Sequence, residues 1–354
     1  MRERRALLKI AALGGAFALA CSTPAEAADI SACLITKTDT NPSALRMKTA
    51  AIAEAKALGI DLKSFSGKID GDSESQIAAI EHCIVDGAKG IMISASDTKA
   101  IVPSVKKARD AGLLVIALGV PLEPSDAADT TIAADNQRAG QALGEWAKGQ
   151  LGGRVGKIGF LESTSAKPAA ETLRDQGFML GLGISPDDAS KGVGAQNDRI
   201  VGHDVVQGSE ADGNSAMMDL LGKEPGIAVV HIDDDAMARG ASKALEALGK
   251  KKDVMIVSTD GCAGVEAVAK GVVDATFMTD LKSVGRLGVR AIERFATTGQ
   301  KPTPSAGMNF QDAGGFVVAK IPGADHQTNP ICTTDPYACA YTPITTASAQ
   351  AICQ

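Results

Sequence analysis

The sequence predicts an α/β protein whose parallel sheets are divided between two lobes. From residue 29 onward, short apolar runs rich in β-branched residues alternate with segments of helical period. The chain has 354 residues, 45% of them hydrophobic, which is enough for more than one core. Glycine is abundant at 38 residues and aromatic residues make up only 3%. Such a composition fits many strand-to-helix turns around cores of small aliphatic side chains.

The elements of the first half follow in order from this alternation. Pro42 suits the first turn of the first helix, and Ser73 with Gln76 predicts a capping box at the second. Asp97 is expected to cap the third helix. The strands are predicted at 31–36, 90–94 and 113–118, and the helices at 42–59, 73–87 and 97–112.

The pattern restarts after Asn136, which begins the second half. The predicted strands are 157–161, 227–232, 254–258 and 274–278, and the last helix of the alternation is 283–297. That helix must bury its apolar face, and the polar stretch 299–307 then breaks the pattern again. The chain is therefore expected to cross between the lobes more than once.

The first residues predict export. Arg2, Arg4, Arg5 and Lys9 precede an uncharged run, 10–20, and an A-x-A cleavage signal at 25–27. The run is too short to span a bilayer, which needs about 20 residues. We predict a signal peptide over 1–28 and a periplasmic mature chain. Sec and twin-arginine export both stay open, as does lipid attachment at Cys21.

The cysteines can be sorted by their surroundings, because an oxidising compartment permits disulfides. Cys33 and Cys83 lie in apolar strand and helix patterns, so we expect buried free thiols. Cys332, Cys339 and Cys353 crowd a polar tail, where a bridge would hold the chain, although its pairing stays open.

Charge and motifs argue against two classes of function. The net charge of −6 and the lack of a Lys/Arg cluster argue against a nucleic-acid partner. The sequence has no GxSxG, no Walker loop, no GxGxxG after the first strand and no Cys/His metal spacing, and its four histidines are scattered. We therefore expect no enzyme, no cofactor and no metal.

Polar residues collect directly after the predicted strands, where open α/β sheets bind ligands. Carboxylates accept hydrogen bonds from hydroxyl groups in several directions, and Arg and Asn donate to ring oxygens. A polyhydroxylated ligand needs both. Helix capping is the alternative for each residue, and a calcium site is another for 233–235. The residues are Lys37, Asp39, Thr40, Asn41, Ser96, Asp97, Asp233, Asp234, Asp235, Asp260, Thr279 and Asp280.

Five short motifs make the sequence similar to one family. They are TKTDTNP at 36–42, DAGLLVIAL at 110–118, RDQGF at 174–178, GHD at 202–204 and STDG at 258–261. In this order they resemble the periplasmic sugar-binding proteins of the ribose-binding type, type I periplasmic binding proteins, closest to the fructose-binding branch of ABC importers. The resemblance runs from about Ile30 to Pro322.

This resemblance implies two Rossmann-like, doubly wound lobes joined by a three-segment hinge that closes on the ligand. The N-terminal lobe would comprise 29–134 plus 280–310, and the C-terminal lobe 135–279 plus 311–331. The crossings would fall near 133–136, 279–280 and 310–311, which places the last helix in the first lobe. The Cys-containing tail, 332–354, lies beyond the resemblance.

The resemblance also assigns contacts to the ligand. Asn41, Arg174 and Asp260 match contacting residues of the family, whereas Asp234 and Thr279 stand where the family usually has Asn and Gln. Ser43 and Ala44 replace a pair of stacking aromatics, and Gly119 with Val120 replaces an acidic residue after a strand. The predicted ligand-binding set is Asn41, Ser43, Gly119, Val120, Arg174, Asp234, Asp260 and Thr279.

The expected function is that of a monomeric solute-binding protein that captures a sugar or sugar derivative between its lobes and delivers it to an ABC permease. Loss of the stacking pair favours a ligand other than a plain hexose. A polyol or signalling-furanoside binding protein that engages a chemoreceptor or sensor kinase is the alternative. An exported enzyme using 233–235 is a third hypothesis.

Overall fold

The computed structural model describes residues 30–69, 71–154, 156–162, 169–185, 199–205, 208–259, 261–321 and 340–354. The predicted signal peptide therefore lies outside the described residues. The strands are β1 (Ser31–Thr36), β2 (Asp61–Ser66), β3 (Gly90–Ile93), β4 (Leu114–Leu118), β5 (Thr130–Ala133), β6 (Lys157–Glu162), β7 (Ile200–Val205), β8 (Ile227–Ile232), β9 (Met255–Ser258), β10 (Ala275–Thr279), β11 (Gln311–Asp312), β12 (Gly315–Ala319) and β13 (Pro343–Ile344). The helices are α1 (Pro42–Leu58), α2 (Ser73–Val85), α3 (Val102–Asp110), α4 (Asn136–Leu151), α5 (Ala169–Leu182), α6 (Glu210–Lys223), α7 (Asp235–Ala247), α8 (Gly261–Lys270), α9 (Leu281–Thr298) and α10 (Thr346–Cys353).

These strands form two sheets, which confirms the predicted α/β class. The first sheet has the order β11-β5-β4-β3-β1-β2, and the second β13-β12-β10-β9-β8-β6-β7. All pairings are parallel except that of β12 with β10. Strands β3, β4 and β5 are buried at every position, as a strand covered by helices on both faces must be. Each sheet carries an apolar core on either face.

The chain passes between the two sheets three times. It crosses from β5 to α4, from β10 to α9, and from β11 to β12. Helix α9 packs against α1 and the first sheet, with Val284 and Ile292 in that core. Because Gln311 and Asp312 pair with β5, the third crossing lies two residues later than the resemblance implies. The lobe boundaries as a whole stay a prediction.

The helix starts differ from prediction at α2. Asp72 rather than Ser73 is the N-cap, and its carboxylate accepts a hydrogen bond from the Ser75 amide at 3.0 Å. Gln76 forms no capping box. Its side chain is fully buried. The side-chain amide donates to the carbonyls of Thr36 and Ser94 at 3.0 and 2.9 Å, and its oxygen accepts from the Ser96 amide at 2.8 Å. Gln76 thus ties together the ends of β1 and β3.

The hydrogen bonds of Asp97 also lie earlier in the chain than predicted. Its carboxylate accepts hydrogen bonds from the amides of Lys99 and Ala100, which belong to the turn before α3. These two bonds lower the pKa of Asp97. Asp97 therefore caps a turn, and α3 begins at Val102 without a side-chain cap.

Two disulfides correct the prediction for the cysteines. Cys33 and Cys83 are not free thiols, because the packing of α2 against β1 brings their Cα atoms to 6.3 Å and a disulfide joins them. Cys353 pairs with Cys262 at the start of α8. The other two tail cysteines, Cys332 and Cys339, lie outside the described residues.

Helices α4 and α5 meet through glycines, which allow their backbones to approach. A β-carbon at Gly144 would lie 2.2 Å from the Phe178 carbonyl oxygen, and one at Gly177 would lie 1.9 Å from that of Gln137. No larger residue fits at these positions without moving a helix. Since α5 carries Arg174, this seam determines where that side chain stands.

No helix of the described ranges is long and apolar enough to cross a membrane.

Candidate functional site

A cavity of about 670 Å³ lies between the two lobes, at the carboxyl ends of the strands. Four of the predicted residues, Asn41, Ser43, Arg174 and Thr279, line it. They come from both lobes, as a ligand cleft requires. The remaining lining residues are Pro42, Arg46, Asn136, Ala139, Thr259, Gly261, Cys262, Ala263, Glu266, Phe277 and Leu281.

The first turn of α1 forms the wall on the first lobe. Asn41 is the N-cap, and its Oδ1 accepts hydrogen bonds from the amides of Ser43 and Ala44 at 2.8 and 3.3 Å. The capping role and the place in the cleft therefore coexist. Arg46, one turn on, donates from Nε to the carbonyl oxygen of Cys353 at 3.0 Å.

Arg174 forms the opposite wall. Its Nη1 lies 3.5 Å from Oδ1 of Asn136, which opens α4, while its buried Nε makes no hydrogen bond to the described residues. A buried guanidinium nitrogen without a partner is costly unless a ligand or water supplies an acceptor. Arg174 is thus the cleft residue best placed to grip a ligand oxygen.

Carboxylates lie behind Arg174. Burial raises the pKa of Asp233, whose two oxygens are buried beside the carboxyl group of Glu171. Burial also raises the pKa of Glu171, and the neighbouring charge of Asp233 raises it further. Asp175 is itself buried and lies 2.8 Å from Nδ1 of His231. The base of this wall is therefore acidic, and the side chains of Arg174 and His231 lie next to its carboxyl groups.

The three adjacent carboxylates after β8 diverge. Asp234 is the N-cap of α7 and accepts from the Met237 amide at 2.9 Å, whereas Asp235 pairs with Arg239. Only Asp233 turns toward Arg174. Among the described residues, no group of three His, Cys, Asp or Glu side chains is arranged to hold a metal ion.

Strand β10 ends at the cleft with Phe277 and Thr279. Phe277 lines the cavity, but it belongs to the core of the second lobe and only 4% of its surface is exposed, so it offers a ligand the edge of an aromatic side chain. Aromatic faces contribute apolar contact to sugar and polyol ligands. Strand β9 ends at Ser258, and the next residue, Thr259, also lines the cleft. Asp260, which follows it, lies outside the described residues.

Three predicted residues are not among those that line the cavity. Gly119 follows β4 with a φ of +80°, and Val120 is 57% exposed beside it. Asp234 is engaged at its helix cap. Their contact with a ligand stays a prediction.

Sequence reasoning missed several cleft residues. Arg46 could have been found from its i, i+3 spacing after Ser43, which puts both side chains on one face of α1. Asn136 was read only as the start of the second half, although it follows a strand of the first sheet. Glu266 and Phe277 carried no signal, since a mid-helix carboxylate and a strand aromatic occur in any such fold.

The comparisons with known proteins agree with this geometry. Residues 32–301 match the model of the periplasmic binding protein domain. The ribose import binding protein of Escherichia coli (strain K12) is 29% identical over 81% of this chain and 92% of its own length. The D-ribose/D-allose-binding protein of Pseudomonas aeruginosa is 30% identical, and that match spans 59% of this chain and 63% of the relative.

Solved structures share the fold. A periplasmic ribose ABC transporter structure from Conexibacter woesei superposes with a TM-score of 0.69 at 19% identity, over 83% of this chain and 93% of the other. A solute-binding protein from Mycobacterium smegmatis with bound glycerol gives 0.58 at 27% identity, over 81% and 93%. The predicted likeness to the ribose-binding type is confirmed, while the fructose-binding branch stays a prediction. The chain belongs to the periplasmic binding protein domain family and is a binding protein rather than an enzyme.

Proposed function

We propose that this protein binds a sugar or sugar derivative in the interlobe cleft and delivers it to the permease of an ABC importer. The observation that supports the proposal most strongly is that the buried Nε of Arg174 lacks an acceptor among the described residues, while the helix that carries Arg174 packs closely against α4. Family membership and the curated relatives, which are named for ribose and allose, support the ligand class.

The cleft favours a ligand with several hydroxyl groups and one apolar face. Arg174 and Arg46 donate, Asn136 and Thr279 can donate or accept, and Glu266 accepts. Phe277 is the aromatic residue of the described lining. Closure of the lobes would bring α1 onto Arg174 and exclude water, which strengthens each polar contact.

A polyol is the second candidate. The first turn of α1 presents Ser43 and Ala44, and small residues there leave room for an extended chain rather than a stacked ring. The relative from Mycobacterium smegmatis carries glycerol in its structure. A receptor or sensor kinase would then be the partner in place of a permease.

Thermal unfolding in the presence of D-ribose, D-allose, D-fructose, D-arabinose, xylitol or glycerol tests both candidates. A ligand present at about 100 times its dissociation constant stabilises the folded protein by about 2.7 kcal/mol. A shift with any sugar supports the first candidate, and a shift with polyols alone supports the second. No shift with any of the six would contradict both.

The site is tested by Arg174→Ala. Loss of its charged hydrogen bonds should weaken binding by roughly 10- to 100-fold without unfolding the protein. Arg154→Ala is the matched control, because Arg154 is exposed and bonds only the Leu151 carbonyl among the described residues. Equal affinities in the two variants would remove Arg174 from the site.

The remaining proposals concern the cell. The basic, apolar and A-x-A pattern of 1–28 supports export to the periplasm by the Sec or twin-arginine route. We expect a monomer without nucleic-acid affinity, since the chain is acidic. Fractionation of cells with each export route blocked would assign the signal, and light scattering would report the mass.

A further inference from the structure

Segment 340–354 touches the crossings between the lobes and the rim of the cleft. It belongs to the second lobe, where β13 pairs with β12 and where Ile344, Ala349 and Ile352 pack in a small core with Val318. Two of its residues, Tyr341 and Cys353, reach beyond that core. Their contacts are independent of one another and lie at opposite ends of the segment.

Tyr341 bonds two of the three crossings. Its hydroxyl donates to Oδ1 of Asp312 at 2.8 Å and accepts from the Asp135 amide at 3.1 Å. Asp135 lies between β5 and α4, and Asp312 ends β11 just before the chain enters the second sheet. The Asp135 amide also lies 3.2 Å from the same Asp312 oxygen. One hydroxyl group therefore joins two segments that must bend when the lobes move.

The ring of Tyr341 packs against β10, the strand that leads into the remaining crossing, from β10 to α9. It stacks on Phe277 at 5.7 Å between centroids and 19° between planes. Phe277 lies two residues before the end of β10, from which the chain returns to the first lobe. The guanidinium of Arg138 stands over the Tyr341 ring at 5.7 Å. Tyr341 therefore bonds two of the crossings directly and packs against the strand that leads into the other one.

The backbone of Tyr341 is held in an unfavourable conformation. Its φ of +60° is left-handed, a region that costs free energy for a residue with a β-carbon. Such conformations persist where surrounding contacts determine them. The amide of Tyr341, which donates to the Gly315 carbonyl at 2.7 Å, is one of those contacts.

Cys353 makes the connection at the rim. Its disulfide to Cys262 fixes the end of α10 to the second lobe, beside the cleft that Cys262 lines. Its carbonyl oxygen accepts the hydrogen bond from Nε of Arg46, which belongs to α1 of the first lobe. Arg46 also lines a second groove, of about 400 Å³, together with Gln354. The segment thus spans the gap between the lobes at a second point.

We propose that segment 340–354 is an interlobe brace, in which Tyr341 restrains the three crossings and Cys353 positions Arg46 at the cleft. The brace sets the resting arrangement of the lobes before any ligand arrives. It acts on the hinge that the proposed function needs, but it does not depend on which solute the cleft binds.

The test uses the full chain without ligand. Fluorophores on p-acetylphenylalanine at Val85 and Leu248, which are 83% and 46% exposed, report the distance between lobes by single-molecule energy transfer. Tyr341→Phe keeps the ring stack and removes two hydrogen bonds. The loss should change the ratio of lobe arrangements by roughly tenfold and so broaden the distribution of distances between the lobes. Cys262→Ala/Cys353→Ala should also broaden the distance distribution.

The control is Cys33→Ala/Cys83→Ala, which removes a disulfide inside the first lobe. It should lower the unfolding temperature and leave the interlobe distance unchanged. Arg46→Ala should add nothing to the Cys262/Cys353 variant, because the brace acts through that arginine. A wild-type distribution in Tyr341→Phe, or the same broadening in the control, would overturn the proposal. Because no ligand is present, failure here is distinct from failure of the sugar screen.

Discussion

A β-carbon at Gly140 would stand 1.9 Å from the carbonyl oxygen of Arg174. The arginine of the cleft therefore owes its position to a missing side chain on the neighbouring helix. Real β-carbons do not approach carbonyl oxygens this closely, so any substitution must push α5 away from α4. The geometry of the site therefore depends on the packing of α4 against α5.

We expect Gly140→Ala to destabilise the protein by about 1–3 kcal/mol, as overpacking does, and to weaken ligand binding because Arg174 moves. Urea denaturation and the dissociation constant of the best ligand from the thermal screen measure the two effects. Gly149→Ala on the same helix is the control, since nothing lies within 4 Å of its β-carbon position. It should stabilise by up to about 1 kcal/mol and leave binding unchanged. Similar losses of stability and affinity in both variants would contradict the claim that close packing of α4 and α5 positions Arg174.

Asp233→Asn should stabilise the protein at neutral pH. Burial raises the pKa of Asp233 in the folded state, so folding above that pKa must desolvate a carboxylate that lies beside a second carboxyl group, that of Glu171. As the pH falls through the raised pKa the folded protein takes up the proton, and the penalty vanishes below the ordinary pKa near 3.8. Water at the cleft screens part of the charge, so we expect a gain in unfolding temperature of about 2 °C at pH 7.5.

The same measurement at pH 4 should give a smaller gain. Charged and titratable groups around Asp233 are Glu162, Glu171, Arg174, Asp175 and His231, and all are retained in the variant. Asp235→Asn is the control, because it removes a carboxylate that pairs with Arg239. It should give no gain at either pH. A gain for Asp233→Asn that does not fall with pH would contradict the burial argument.

Gln76→Leu should destabilise the protein by on the order of 3 kcal/mol. The substitution keeps the buried volume close but leaves the carbonyls of Thr36 and Ser94 and the amide of Ser96 without this partner. Urea denaturation measures the loss. In Gln141→Leu, the control, one exposed hydrogen bond to Glu145 is removed and the change should stay within about 0.5 kcal/mol. A small effect at Gln76 would mean that water replaces its bonds.

Removal of the Cys33–Cys83 disulfide should lower the free energy of unfolding by roughly 2–4 kcal/mol. The bond closes a loop of 50 residues, which restricts the unfolded chain. Urea denaturation of Cys33→Ala/Cys83→Ala against the unmodified protein measures the difference. Both cysteines are fully buried, so an equal stability would indicate that the two thiols do not pair in the folded protein.

Local pattern was sufficient where an element depends on its own residues. The alternation of apolar and helical periods located β1 and β8 to the residue, and it found α1 by its Pro42 and Gly59. Strand ends in an open α/β sheet converge at one edge, so Asn41 and Thr279 could be assigned to one cleft from their positions after predicted strands. Arg174 lies inside a helix, and only the resemblance to the family assigned it to the ligand. The resemblance to binding proteins rested on the five short motifs at 36–42, 110–118, 174–178, 202–204 and 258–261.

Only the tertiary structure decided the features that join residues far apart in the chain. Cys33 and Cys83 look like core thiols until β1 and α2 meet, and Cys353 finds Cys262 across 91 residues. Asp233, Asp234 and Asp235 look equivalent in sequence, yet backbone direction after β8 sends each to a different environment. Tyr341 lay in a tail without a pattern. Periodicity carries information about burial and not about partners, so lobes and cleft could be inferred from the sequence, whereas disulfides, helix seam and brace required the folded chain.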